Sequence, residues 1–450
     1  MTYLRTGLTL TTTLALSAIS HPPAFAQEGP GLTGTLSFSQ GIEWSDNEDL
    51  DSATSGSTLT SRTGLGFALQ SRTRAETLSF RLGTDIIGQS GGGADEDFRF
   101  QNERAGLDYE RRGAGSALTF SARYAEGDLD DRTFAPDPIN APDTFVVDDG
   151  SLASTSLNAA LEFGIDAPFG LRLEAGYRNQ DYSGTTDPDL TDSETISVDA
   201  LARFRLTPTR AIRALVGYSV EDEEGVPDDI ETSYVGIGIQ DATSGGLSYS
   251  ADLLFDRVES TTTDDGVGID VSITQTRPRG DIGFDVSSRI DEDGRRTEAS
   301  VRQSVALPTG GLAYSLGVVD LEGDSSLRPR GSLAYNRQMK SAAITATLAL
   351  EPTTDGTTVT NDTEIVLDYS REINSRAGWS AALSYRVADE LGGAGDDERA
   401  AARITYSQAL TEDWQMNAGV EHVREVDGGG PSESSNTVFF NIQRDIAFGF

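Results

Sequence analysis

The sequence predicts an all-β fold: a transmembrane, antiparallel, up-and-down β-barrel of about 22 strands, within a range of roughly 20 to 24, with no plug domain. Three observations predict it. Apolar residues recur at every second position over stretches longer than soluble strands usually run. The connections between these stretches alternate between tight and long. After Gln27 no stretch carries the roughly 20 apolar residues that a membrane helix needs.

Residues 1–26 precede the strands and read as an export signal. Arg5 is the lone charge there, and an apolar run follows from Leu8 to Ile19. That run is too short to span a bilayer. It ends at Ala24-Phe25-Ala26, a small-x-small pattern, which predicts cleavage between Ala26 and Gln27. No linker or composition shift divides residues 27–450, so they are expected to form a single barrel domain.

The alternating segments fall near 32–44, 57–69, 77–87, 97–111, 116–126, 150–164, 170–183, 194–206, 210–221, 230–241 and 246–258. They continue near 266–276, 280–289, 297–307, 311–320, 326–337, 341–351, 359–370, 377–388, 398–408, 414–425 and 436–450. In the first, Leu32, Leu36, Phe38, Ile42 and Trp44 share a face; in the third, Leu78, Phe80, Leu82 and Ile86 do. Side chains alternate across a strand, so each segment has one apolar and one polar face. Segment 97–111 changes phase between Glu103 and Ala105, which predicts a β-bulge. Tight turns follow the even segments, as at Thr207-Pro208-Thr209 and Pro308-Thr309-Gly310. Longer loops rich in Asp, Glu, Gly and Thr follow the odd ones, among them residues 127–149 with Pro136, Pro138 and Pro142. Such asymmetry assigns the short turns to the periplasmic rim and the long loops to the outside.

A negative mean hydropathy fits a wide barrel, because only alternate residues meet lipid. The opposite faces carry the charges. Arg81, Arg99, Arg123, Arg172, Arg203, Arg205, Arg213, Arg302, Arg328, Arg330, Arg386, Arg399 and Arg403 all fall in the inward phase. Guanidinium groups bind carboxylates bidentately, so the set fits a cationic track through the lumen. It equally fits cross-strand ladders with inward Asp and Glu. Aromatic residues on the outward phase mark the two interfaces. Tyr109, Tyr335, Tyr369, Trp379, Tyr406 and Trp414 fall at the short-turn rim, and Trp44 and Tyr124 near the long-loop rim.

Composition excludes several functions. The 450 residues carry a formal charge of -37, which argues against nucleic-acid binding. There is no Cys, so disulfides, thiol nucleophiles and cysteine-ligated metals are out. The one His beyond the export signal, His422, shares the outward phase of Trp414 and Val420 and reads as an interfacial residue. No nucleophile elbow, phosphate loop or zinc-helix motif occurs, so no enzyme, cofactor or metal site is expected. Asp128-Leu129-Asp130-Asp131 and Asp291-Glu292-Asp293-Gly294 are only fragments of calcium-loop patterns.

The chain ends on an apolar strand in which Phe440, Ile442, Ile446, Phe448 and Phe450 share a phase. It resembles the terminal strand of Gram-negative outer-membrane β-barrels, and the resemblance extends over the whole chain after residue 26. By that resemblance Ile446, Phe448 and Phe450 form the assembly signal. The implied location is the outer membrane. The implied partners are its lipid and lipopolysaccharide, periplasmic chaperones and the barrel-assembly machinery. Residues 410–450, which open on Leu410-Thr411-Glu412-Asp413-Trp414, also resemble proteobacterial outer-membrane barrels, some of them associated with exopolysaccharide loci. A strand number near 22 is shared with TonB-dependent transporters, but strands begin near Leu32, which leaves no plug, and that family is set aside. The expected function is a wide polar channel for passive passage of hydrophilic solutes. The alternatives are a polymer-export barrel with a periplasmic partner, and a non-conducting surface barrel with acidic ion-binding loops.

Overall fold

In the computed structural model, residues 31–449 are described, apart from 48–49, 51–55, 92–97, 130–149, 186–189, 325, 355–357, 391–395, 427 and 429. The strands are β1 (Gly31–Ser45), β2 (Thr58–Arg72), β3 (Glu76–Gly91), β4 (Phe98–Arg112), β5 (Ser116–Asp128), β6 (Ser151–Phe163), β7 (Phe169–Ser183) and β8 (Ser193–Arg205). Next come β9 (Ala211–Glu223), β10 (Ile230–Ala242), β11 (Leu247–Glu259), β12 (Thr263–Arg277), β13 (Gly280–Asp291), β14 (Gly294–Leu307) and β15 (Gly310–Leu321). The last are β16 (Arg328–Gln338), β17 (Ala342–Thr354), β18 (Val359–Asn374), β19 (Ala377–Glu390), β20 (Asp397–Ala409), β21 (Trp414–Val426) and β22 (Glu433–Gly449).

Each strand pairs antiparallel with the next, and β22 pairs with β1 from Thr33↔Gly449 to Ser45↔Thr437. The sheet is therefore a closed 22-stranded antiparallel barrel. Closure matters because an open edge would leave backbone groups unpaired in lipid. At the outer end of the seam the Ser45 and Ser435 hydroxyls lie 2.8 Å apart, and the Asn436 amide donates to Asp46 at 2.7 Å. At the other end the Phe448 ring packs over Gly34, where any Cβ would collide with it.

The outward face is apolar on every side. Ile42 on β1, Val198 on β8, Ile237 on β10, Leu316 on β15 and Ile404 on β20 are each about half exposed or more. An uninterrupted band of this kind would be untenable in water and is what hydrocarbon requires. Phe98 and Phe100 stand out from the long-loop end of β4. The bulge is present: the β3–β4 register shifts between Gly83 and Asp85, and Asn102 takes a left-handed φ of 57°. The inward face is mixed. It carries the charged side chains, and also buried Leu254, Val258 and Val319.

The two rims differ as the turn chemistry dictates. Several short turns open on a threonine whose Oγ1 accepts a backbone N–H three or four residues on: Thr73 from Glu76, Thr207 from Arg210, Thr243 from Leu247 and Thr411 from Trp414. Two connections expected to be long are tight. β12 begins at Thr263, not near 266, and β13 and β14 meet in the two-residue turn Glu292-Asp293. Gly294, at φ 103°, makes that turn possible. The charged pairs Asp264-Asp265 and Arg295-Arg296 resembled loop because both phases are polar. Beyond the lipid both faces of a strand meet water, so the ladder continues there.

Candidate functional site

The inward wall carries the chain's organised chemistry. Its largest assembly runs across β8 to β13. Arg289 Nε lies 3.0 Å from Asp256 Oδ1 and Nη1 lies 3.2 Å from Asp270. The same guanidinium sits 4.9 Å above the Tyr234 ring, and the Tyr234 hydroxyl donates to Asp199 at 2.6 Å. Asp256 is 1% exposed, so its charge is neutralised by Arg289 and not by water.

These contacts skip strands, and glycine lets them do so. Gly217 on β9 pairs with Asp199 on one side and Tyr234 on the other. A Cβ there would stand 2.2 Å from the Tyr234 ring. Arg213 on β9 reaches Asp252 on β11, Nε to Oδ1 at 3.1 Å, across Gly238 on β10. Arg302 on β14 reaches Thr274 on β12 at 2.6 Å across Gly283 on β13. Each inward glycine is a gap through which a long polar side chain crosses its neighbour.

A second assembly lies on β14, β16 and β17. Arg296 bonds Glu351 at 2.6 Å and the Pro352 carbonyl at 3.0 Å, and pairs with Glu298 on its own strand. Arg330 bonds Glu351 at 2.9 Å and contacts Glu298. Two guanidiniums and two carboxylates thus close a neutral ring.

The residues of the expected arginine track are placed as follows. Arg99 pairs with Asp128 at 3.8 Å, Arg123 with Asp108 at 2.7 Å, Arg399 with Glu425 at 3.4 Å and Arg403 with Glu421 at 3.0 Å. Arg172 bonds Glu174 along one strand at 2.9 Å. Arg203 and Arg205 both donate to the Ile165 carbonyl, and Arg203 stands 4.0 Å from Glu162. Arg302 pairs with Asp285, Arg328 with Asp324, and Arg386 faces Glu364 across the ladder. Arg81 has no ion pair among the described residues. Arg289 and Arg296, which hold the two largest assemblies, are absent from that track. Arg296 fell in a stretch that resembled a loop and Arg289 at the last position of segment 280–289, and only the register places them against Asp256 and Glu351.

Of the aromatic residues, Trp44 is 44% exposed on the outward face, and Tyr124 and Tyr406 are exposed there as well. Tyr369 and Trp379 pack with ring centres 5.0 Å apart and planes tilted by 48°, and Arg444 lies 5.6 Å above Trp414. Tyr109 pairs across the ladder with Leu78 and Phe120, and Tyr335 with Leu312 and Ala346. His422 faces outward, its Nδ1 2.9 Å from Asn436 Oδ1. Ile446 is outward beside Leu36. Ala26, Gln27, Phe450 and residues 130–149 of the long loop lie outside the described residues. Among those described, no group of three or more His, Asp or Glu is arranged to hold a metal.

No family model and no curated protein sequence matches the chain. Solved structures do. The ferric-catecholate import receptor Fiu from E. coli K12 superposes with a TM-score of 0.59 and 10% identity, covering 93% of this chain and 82% of that one. The FrpB iron transporter from Neisseria meningitidis gives 0.56 at 7% identity, covering 93% and 83%. The ferric enterobactin receptor PfeA from Pseudomonas aeruginosa gives 0.55 at 10%, covering 94% and 82%. The expectation of a passive diffusion channel is corrected here: the three solved barrels just named, which share this fold, are a ferric-catecholate import receptor, an iron transporter and a ferric enterobactin receptor. The chain is a closed 22-strand barrel of the outer membrane that resembles, in fold, the TonB-dependent receptor barrels of Gram-negative bacteria.

Proposed function

We propose that this protein is a ligand-specific receptor that takes up an iron chelate across the outer membrane. One observation carries the reading: the chain path matches receptors whose described cargo is ferric enterobactin, ferric catecholate or iron, over more than nine-tenths of the chain. The inner wall is compatible with it. Cross-strand ion pairs hold its polar side chains in fixed positions, which a binding wall needs. Under this reading residues 1–26 are the export signal, removed between Ala26 and Gln27, and Ile446, Phe448 and Phe450 direct barrel assembly.

The test is a fluorescence titration of the purified barrel, whose Trp44, Trp379 and Trp414 report binding. A charge of -37 slows encounter with anionic chelates. The titration therefore includes anionic ferric enterobactin and a neutral ferric hydroxamate, each beside its iron-free form. Saturable quenching by either ferric complex, and weaker quenching by its iron-free form, is the expected result. Absence of saturable binding to both, together with unaltered iron-limited growth of a strain lacking the gene, would overturn the reading.

A further inference from the structure

The short-turn ends of three strands share a pattern: Tyr109-Glu110-Arg111 on β4, Tyr335-Asn336-Arg337 on β16 and Tyr369-Ser370-Arg371 on β18. In each, tyrosine and arginine take the outward phase, so the arginine leaves the barrel one step beyond an interfacial aromatic. On β4 that cation is already paired, Arg111 Nε to Glu76 Oε1 at 3.5 Å. On β16 and β18 it is not. Arg337, Arg371 and Lys340 of the intervening turn are exposed and carry no ion pair among the described residues.

These three cations are neighbours. Arg337 faces Ile344 on β17, Ile344 faces Tyr369, and Arg371 faces Ala342 at the end of the turn that holds Lys340. Two strand spacings and a two-residue offset along the strand, about 12 Å in all, separate the arginines. Arg371 also faces Trp379, whose ring packs against Tyr369. Amphipathic rings of this kind sit at headgroup depth.

An apolar groove of about 580 Å³ starts at this point on the outer face. Ala381 and Ala402 form its shallow floor, and Leu367, Leu383, Ile404 and Val420 wall it. It leads away from the cations toward His422 at the other rim.

We propose that an anionic phospholipid of the periplasmic leaflet is bound here, its phosphate held by Arg337, Lys340 and Arg371 and an acyl chain lying in the groove. Charge complementarity selects the occupant. Guanidinium groups bind phosphate bidentately, the cations are at headgroup depth, and the near part of the groove is walled by Leu367, Leu383 and Ile404, its polar lining lying toward His422 and Asn436.

The experiment uses the full barrel with Trp44→Phe and Trp414→Phe, which leaves Trp379 as the reporter. It is reconstituted in phosphatidylcholine vesicles that contain brominated phosphatidylglycerol or, at equal mole fraction, brominated phosphatidylcholine. Heat-modifiable gel migration certifies folding. Brominated phosphatidylglycerol is expected to quench Trp379 more strongly, and high salt to weaken that preference. Arg371→Gln is expected to lower the relative affinity about fivefold, and the triple variant Arg337→Gln/Lys340→Gln/Arg371→Gln to abolish the preference. Ala381→Leu, which fills the groove and spares the cations, is expected to reduce quenching by the phosphatidylglycerol, and Arg111→Gln to leave it unchanged. Equal quenching by the two lipids in the parent, or a preference that survives Arg371→Gln undiminished, would overturn the site. The single variant decides the matter if the triple does not fold.

Discussion

Arg289 on the inner face of β13 is held by two carboxylates and a tyrosine ring. Arg371 on the outer face of β18 has no ion pair among the described residues. The difference follows from what each face meets. An inward charge can find its counterion on the wall itself, because alternate residues of every strand point the same way and glycines open paths across one strand. Outward Arg371 has the Tyr369 and Trp379 rings beside it on its own face, and under the proposal above its counterion is a lipid phosphate. One periodicity therefore produces internal braces on one face and anchoring points on the other.

The comparison can be broken most strongly at Asp256. Asp256→Ala leaves Arg289 in a largely desolvated position with one weaker partner, Asp270. Loss of one member of a buried pair is expected to destabilise the barrel by about 3 kcal/mol. Urea unfolding followed by heat-modifiable migration would measure it. Arg371→Gln serves as the outer-face counterpart and is expected to move the same midpoint hardly at all. If both variants shift it equally, the distinction between brace and anchor fails.

A smaller effect is expected at Gly217. Alanine there places its methyl against the Tyr234 ring, so the ring must tilt and surrender either its bond to Asp199 or its seat beneath Arg289. Overpacking of this sort costs about 1–3 kcal/mol. Gly217→Ala combined with Tyr234→Ala should recover part of the loss, because the collision with the ring is then absent and only that with the Asp199 carboxylate remains. A double variant as unstable as the sum of the singles would show that Gly217 acts elsewhere.

Much of the fold was legible in the alternation. Strand number, closure of the last strand on the first, the bulge near Asn102 and the difference between rims follow from period two and turn chemistry. The extended ends of β12 and β14 did not, since Asp264-Asp265 and Arg295-Arg296 break the apolar phase where a strand has already left the lipid. The inner partners were less accessible still. Tyr234 and Asp199 are 35 residues apart and two strands apart, and only the exact register shows that Gly217 separates them. An inward glycine flanked across both ladders by polar side chains is the signal that would have found them. The passive-channel expectation failed for a different reason. A polar inward face is common to pores and receptors alike, so alternation carries no information on whether passage is selective.

The mildest probe is pH. Asp324, in the loop after β15, accepts from Arg328 and from the Ser326 amide and hydroxyl. The Arg328 bond, opposed by partial burial and reinforced by Ser326, holds its carboxyl down at about 2. A depressed carboxylate stabilises the folded loop in full above its ordinary value near 3.8, and that contribution disappears as pH falls through about 2. The Asp324–Arg328 pair should thus persist to pH values at which exposed carboxylates are already protonated. A ¹³C-carboxyl titration of aspartate-labelled protein is expected to show one resonance with this low midpoint. In Arg328→Gln that midpoint should rise toward the ordinary range, since the largest cause of the shift is gone. If it stays low without Arg328, the loop is held by Ser326 and its own backbone, and pairing at the outer rim is weaker than pairing along the inner wall.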